Sequence, residues 1–79
     1  TLAEILDVAA RTLKFGGRIA IINRADRLAE LIYGLKSRAL EPKRLQFVCG
    51  NAGAKPYLVM VEACKGGKEG IDILPSAVN

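Results

Sequence analysis

The chain reads as a small α/β domain on three observations. An apolar stretch at helical spacing stops at Gly16-Gly17 and, after one arginine, becomes the unbroken run Ile19-Ala20-Ile21-Ile22. A second helical period follows, and after it come two strand-like runs joined by the turn-rich segment Gly50 to Pro56. A strand apolar on both faces belongs inside a sheet, with neighbours left and right and helices above and below. Few segments here can fill those places. The order helix, strand, helix, strand, strand and tail therefore reads as the closing part of a larger α/β domain.

Leu2, Ile5, Leu6, Ala9, Ala10 and Leu13 recur at spacings of three and four, which predicts an amphipathic helix of about three turns. Thr1 followed by Glu4 is a capping-box pattern, and acidic residues lead while basic ones trail, as the helix dipole prefers. Gly16 or Gly17 is expected to supply the left-handed residue that ends the helix. Arg18 to Ile22 is then a strand. Asn23 offers a cap, with Asp26 three positions on, for a second helix whose stripe is Leu28, Leu31, Ile32, Leu35 and Ala39. That helix is expected to run to about Leu40 and to end at Glu41-Pro42, because proline forbids its continuation. Gly34 inside it costs about 1 kcal/mol relative to alanine, which points to close packing on a neighbour or to tolerance.

From Lys43 to Cys49 the pattern alternates, with Leu45, Phe47 and Cys49 on one side and Arg44, Gln46 and Val48 on the other. This predicts an edge-like strand with one wetter face. Tyr57 to Cys64 is a strongly apolar third strand and, across a loop of that length, the antiparallel hairpin partner of the second. Lys65 to Gly70 is a flexible basic loop. Ile71, Ile73 and Leu74 point to a short extended segment before Pro75, and Ser76 to Asn79 to a frayed end.

Composition narrows the chemistry. At 79 residues the chain is one small domain at most, and its 51% apolar content is too high for disorder. There is no histidine, which removes Ser/His/Asp and Cys/His catalysis and leaves no ordinary zinc set. Cys49 and Cys64 lie in or beside apolar runs, where a free thiol behaves as a small hydrophobe. The longest uninterrupted apolar stretch, Tyr57 to Val61, is far short of a membrane span, and no basic-then-apolar leader opens the chain. A cytoplasmic location, with no membrane partner, is the expectation. The net charge of +4 suits an anionic partner such as RNA, although modest basicity is common. Thr1 in place of a methionine fits a piece of something longer.

The element order, with Leu13-Lys14-Phe15-Gly16-Gly17-Arg18 leading into the first strand, resembles the C-terminal part of class I S-adenosylmethionine-dependent methyltransferases. Asn23-Arg24-Ala25-Asp26-Arg27-Leu28, Leu40 to Val48, Lys55 to Ala63, Lys65-Gly66-Gly67 and Ile73-Leu74-Pro75 are similar to one subgroup, bacterial predicted O-methyltransferases related to tRNA (adenine-N6)-methyltransferases. The resemblance implies a partial Rossmann-like fold, with two helices on a small mixed sheet that ends in an antiparallel hairpin. It also implies that Tyr57 to Cys64 lies between Arg18 to Ile22 and Lys43 to Cys49. The other edge of Arg18 to Ile22 would then be bare, and an apolar bare edge invites self-association or pairing with the rest of its domain. The parent protein would use S-adenosylmethionine, but its glycine-rich cofactor loop and Asn-Pro-Pro-Tyr-type motif are upstream elements. Neither occurs here, so the resemblance carries no catalytic or cofactor-binding residue onto this sequence, and these residues alone are expected to be inert.

Four cations are candidate RNA contacts. Arg24 lies just beyond the C-terminal end of a strand, the rim where open α/β sheets bind ligands, although a first-turn helix residue facing water fits equally. Lys55 sits in the hairpin loop. Lys65 and Lys68 flank Gly66-Gly67, which lacks the G-x-x-x-x-G-K-[ST] spacing of a nucleotide loop. They can meet phosphates without fixed geometry, although a solvated turn is the plainer account. Lys36, Arg38, Lys43 and Arg44 are a candidate basic patch around the end of the second helix, although the helix dipole favours cations there in any case. Glu62, the one acid in an apolar strand, is expected to be paired or edge-exposed, and Phe47 and Tyr57 to pack in the core. The other class of reading is a stand-alone nucleic-acid-binding or dimerisation module.

Overall fold

The computed structural model describes all 79 residues, Thr1–Asn79. Helix α1 spans Leu2–Thr12 and β1 spans Arg18–Arg24; a 3-10 turn, Ala25–Arg27, leads into α2, Leu28–Lys36. The remaining strands are β2 (Leu40–Cys49), β3 (Leu58–Lys65), β4 (Asp72–Ile73) and β5 (Ala77–Val78). The predicted fold class is observed: two helices rest on a small mixed sheet whose order is β1-β3-β2-β4, with β5 also pairing β2. β3 runs antiparallel to both β1 and β2, while β4 and β5 are parallel to β2 and follow one another along its far side.

Register places Ile19 opposite Ala63 and Ile21 opposite Val61 on the helix-covered face, where Leu45 and Phe47 align with Val61 and Val59. Leu6 and Ala9 of α1 and Leu31 and Leu35 of α2 close over them, together with Leu40. Gly34 is the point of closest approach: a methyl group there would lie 2.6 Å from Leu6 Cδ1. Close packing, rather than tolerance, explains that glycine. The opposite face carries Ala20, Ile22, Met60, Glu62, Arg44 and Gln46 and has no helix over it. Ile22 is 64% exposed.

β1 thus departs from its sequence pattern in two respects. It has a neighbour on one side only, β3, and a cover on one face only. Its apolar outer residues and free edge match the bare edge expected from the resemblance.

Several local expectations are corrected. The capping box at Thr1 and Glu4 forms, but α1 ends at Leu13 in extended conformation, three residues before Gly16. Gly16 is left-handed, φ +85°, yet it serves the Lys14–Gly17 turn, in which Gly17 N–H donates to Lys14 O at 2.8 Å. Asn23 does not cap α2. It belongs to β1, its Oδ1 accepts from the adjacent Arg24 N–H, and the helix instead begins through the 3-10 turn. α2 stops at Lys36, not Leu40, because Ala39 takes a left-handed conformation at φ +58° and turns the chain into β2. Pro42 therefore lies in a strand, beside a register shift between Pro42 and Arg44 that accommodates a residue without a backbone donor. β2 is interior rather than an edge. The tail is not frayed: Ala77–Val78 pairs with Val48–Cys49, and Asn79 N–H donates to Cys49 O at 2.8 Å.

Candidate nucleic-acid contacts at two ends of the sheet

β1 and β3 are antiparallel, so the C-terminal end of β1 meets the N-terminal end of β3. Ala25 N–H donates to Tyr57 O at 3.1 Å, which ties the strand-to-helix turn to the hairpin loop. Between them lies a shallow hollow of about 220 Å³ lined by Ala25, Asp26, Phe47, Lys55 and Pro56. Arg24 and Lys55 therefore share this rim, as a ligand-binding edge of an α/β sheet requires. Their electrostatics differ. Arg24 Nη2 lies 2.6 Å from Asp26 Oδ2, and Arg27 pairs with Glu30, which holds its guanidinium pKa above the usual arginine value. Lys55 takes part in none of the six ion pairs and is exposed.

Lys65 and Lys68 lie at the opposite end, beside the Gly16-Gly17 turn. Lys65 is not a free cation on a loop. It is the last residue of β3, and its Nζ donates to Ala10 O at 2.6 Å and Leu13 O at 2.9 Å, closing the carbonyl end of α1. An ammonium has three donors and suits the negative end of a helix, so the position is chemically well matched. Its backbone is also anchored: Gly16 N–H donates to Lys65 O and Lys65 N–H to Gly17 O, at 2.9 and 2.8 Å. Lys68 is exposed, and its carbonyl accepts from Lys43 Nζ at 2.7 Å.

The four candidates thus divide into two pairs at two ends of the molecule. Of twelve Lys and Arg, five pair with carboxylates: Arg18 with Glu62, Arg24 with Asp26, Arg27 with Glu30, Lys36 with Glu41 and Arg38 with Asp7. Five of the other seven, Arg11, Lys14, Lys43, Lys65 and Lys68, belong to the Gly16-Gly17 end through α1's last turn, the glycine turn and the loop after β3. Charge is therefore concentrated away from Arg24. Sequence reading missed Phe15 in the midst of it, 82% exposed, with the Lys65 ammonium 5.4 Å from its ring centre. The available signal was phase: Phe15 falls outside the three-and-four spacing of the helix stripe.

Glu62 is paired, as expected, by Arg18 Nη1 at 2.8 Å. Phe47 packs on the core, whereas Tyr57 stays largely exposed, its hydroxyl accepting from Asn79 Nδ2 at 2.8 Å. Cys49 and Cys64 are free thiols. No group of three or more His, Cys, Asp or Glu side chains gathers as a metal site, and no helix is long and apolar enough to cross a membrane. The β1-to-α2 turn, Asn23-Arg24-Ala25-Asp26-Arg27, contains no glycine that would let a cofactor approach its backbone.

No family model matches the chain, and no curated protein matches it. Among solved structures, its backbone is similar to the crystal structure of a predicted O-methyltransferase from Agrobacterium tumefaciens, with a TM-score of 0.87 at 18% identity. The likeness covers 98% of this chain and 36% of that one, so the chain spans about a third of that protein's length. The chain has the fold of one part of that predicted O-methyltransferase.

Proposed function

We propose that the chain is the C-terminal segment of an S-adenosylmethionine-dependent methyltransferase acting on RNA, with adenine N6 of a tRNA as the acceptor. The observation that supports this reading best is the strand order β1-β3-β2 reached through the Gly16-Gly17 turn, in a backbone similar over 98% of its length to part of a predicted O-methyltransferase. The cofactor belongs to the parent protein. This segment finishes the sheet, lends basic contacts and is inert when isolated.

The free edge of β1 and the uncovered face with Ala20, Ile22 and Met60 support pairing with the remainder of the domain. An unpaired apolar strand edge is a template for another strand. The isolated chain therefore self-associates, and a well-folded monomer on size-exclusion chromatography in dilute solution would contradict that. The test of the function is methyl transfer by the complete gene product. Undermethylated tRNA incubated with labelled S-adenosylmethionine is expected to gain N6-methyladenosine, read by nucleoside mass spectrometry. A reading frame that opens immediately before Thr1 would overturn the proposal and favour a stand-alone module.

A further inference from the structure

We infer that the Gly16-Gly17 end of the sheet is a contact surface for single-stranded RNA, on which the Phe15 ring stacks an unpaired base while Arg11, Lys14 and Lys68 hold the flanking phosphates. The inference rests on the reading that RNA is this chain's partner. It places the contact at the end opposite Arg24 and Lys55.

A singly exposed apolar residue needs no explanation. Phe15 differs in how it is mounted. One side of its ring is closed by Gly66, where a side chain would come within 2.6 Å of Cδ1 and where φ is +71°. The Lys65 ammonium stands 5.4 Å from the ring centre and is itself fixed by the carbonyls of Ala10 in α1 and of its C-cap Leu13. The backbone on either side is pinned by Gly17 N–H to Lys14 O at 2.8 Å and by Gly16 N–H to Lys65 O at 2.9 Å. Yet the ring is 82% exposed, so the rest of its surface is presented to solvent by a stiff support. Little ordering entropy remains to be lost when a base stacks on it.

The charge around the ring is one-sided. Arg11, Lys14, Lys43, Lys65 and Lys68 have no carboxylate partner. Glu41 is held by Lys36, Glu62 by Arg18 and Asp7 by Arg38; the two unpaired acids are Glu69, next to Lys68, and Asp72, opposite Arg44. Phosphates neutralised by such cations supply affinity, and base–aromatic stacking adds to it without sequence preference. A base that stacks must be unpaired, which selects single strands or loops over A-form duplex. A membrane surface fits less well, because interfacial binding needs an apolar stripe and this surface offers one ring.

Fluorescence anisotropy of the 79-residue chain with a labelled single-stranded RNA 12-mer, and with a hairpin of the same length, tests the inference. The single strand is expected to bind more tightly. Phe15→Ala and Phe15→Leu should each weaken it by at least about fivefold, a loss of about 1 kcal/mol of stacking. Phe15→Leu keeps bulk against Gly66, so agreement between the two variants separates stacking from misfolding. Lys14→Gln with Lys68→Gln should reduce the salt slope by about 1.4, at roughly 0.7 per phosphate contact on a single strand. Binding that is lost in Arg24→Ala with Lys55→Ala but unmoved by the Phe15 variants would overturn this inference and leave the RNA reading standing. No binding of the unaltered chain at low salt would overturn the inference, while methyl transfer by the complete gene product decides the RNA reading separately. Phe15-dependent binding to phosphatidylserine vesicles without RNA binding would assign the surface to a membrane and overturn the inference.

Discussion

Replacing Lys65 by methionine tests whether this residue is a structural cap or a free loop cation. The substitution keeps an unbranched stem and removes the ammonium. Ala10 O and Leu13 O, now 2.6 and 2.9 Å from Nζ, lose their charged donor. Hydrogen bonds to charged groups contribute about 1.5–3 kcal/mol. Here the site is half-buried and water reaches the freed carbonyls, so the low end, about 1.5 kcal/mol for the pair, is expected. At a urea m-value near the small-protein limit of about 1 kcal/mol per molar, the midpoint falls by about 1.5 M. The thermal midpoint falls by roughly 8 °C in a domain of this size. Faster amide exchange in the last turn of α1 should accompany the change. The Phe15 contact is a smaller effect, about 0.5–1 kcal/mol for an exposed cation–π pair, so Phe15→Leu should not reproduce the loss. A Lys65→Met midpoint within about 0.3 M of the unaltered chain, or a loss fully reproduced by Phe15→Leu, would refute the cap.

Three further outcomes follow from the same geometry. Leu31→Ala empties a fully buried position between α2 and the sheet and should cost about 2–5 kcal/mol, enough to unfold much of so small a domain at 25 °C, as circular dichroism would register. Ala39→Gly relieves a left-handed alanine at φ +58°; after the added freedom of the unfolded chain is subtracted, a gain of about 0.5–1 kcal/mol in urea unfolding is expected. The Lys36 pKa is raised above its ordinary 10.5 by hydrogen bonding to Glu41, so the pair's stabilisation is complete below pH 10.5 and is lost as pH rises through the higher folded-state value. Lys36→Met should flatten that alkaline limb of a stability-against-pH curve.

The parts of the fold legible in the sequence are those written in local periodicity. α1, β1 and the β2–β3 hairpin follow from apolar spacing, and placing β3 between its partners came from the family resemblance. The ends were not legible for specific reasons. Ala39 performs a turn usually given to glycine, so nothing punctuates the end of α2, and Pro42, a helix stop by propensity, sits instead beside a strand irregularity. β5 depends on backbone partners supplied by Val48 and Cys49, about thirty residues earlier, and on Gln46 Nε2 donating to Pro75 O at 3.0 Å. No pattern within Ser76 to Asn79 encodes those bonds. The same limit applies to the candidate contacts. Arg24 is legible as a rim residue near the C-terminal end of a strand, and the structure makes it the last residue of β1, but nothing in the sequence assigns it Asp26 as a partner. Lys65 meets α1 across more than fifty residues of chain, and that meeting is what turns an apparent loop lysine into a cap and Phe15 into a mounted ring.

Calorimetric titration of S-adenosylmethionine into residues 1–79 and into the complete gene product tests the central claim most directly. If this chain closes the sheet of a methyltransferase whose cofactor loop lies outside it, the complete protein binds the cofactor and residues 1–79 bind none. Micromolar binding by residues 1–79 alone, or no binding by the complete protein, would contradict the account.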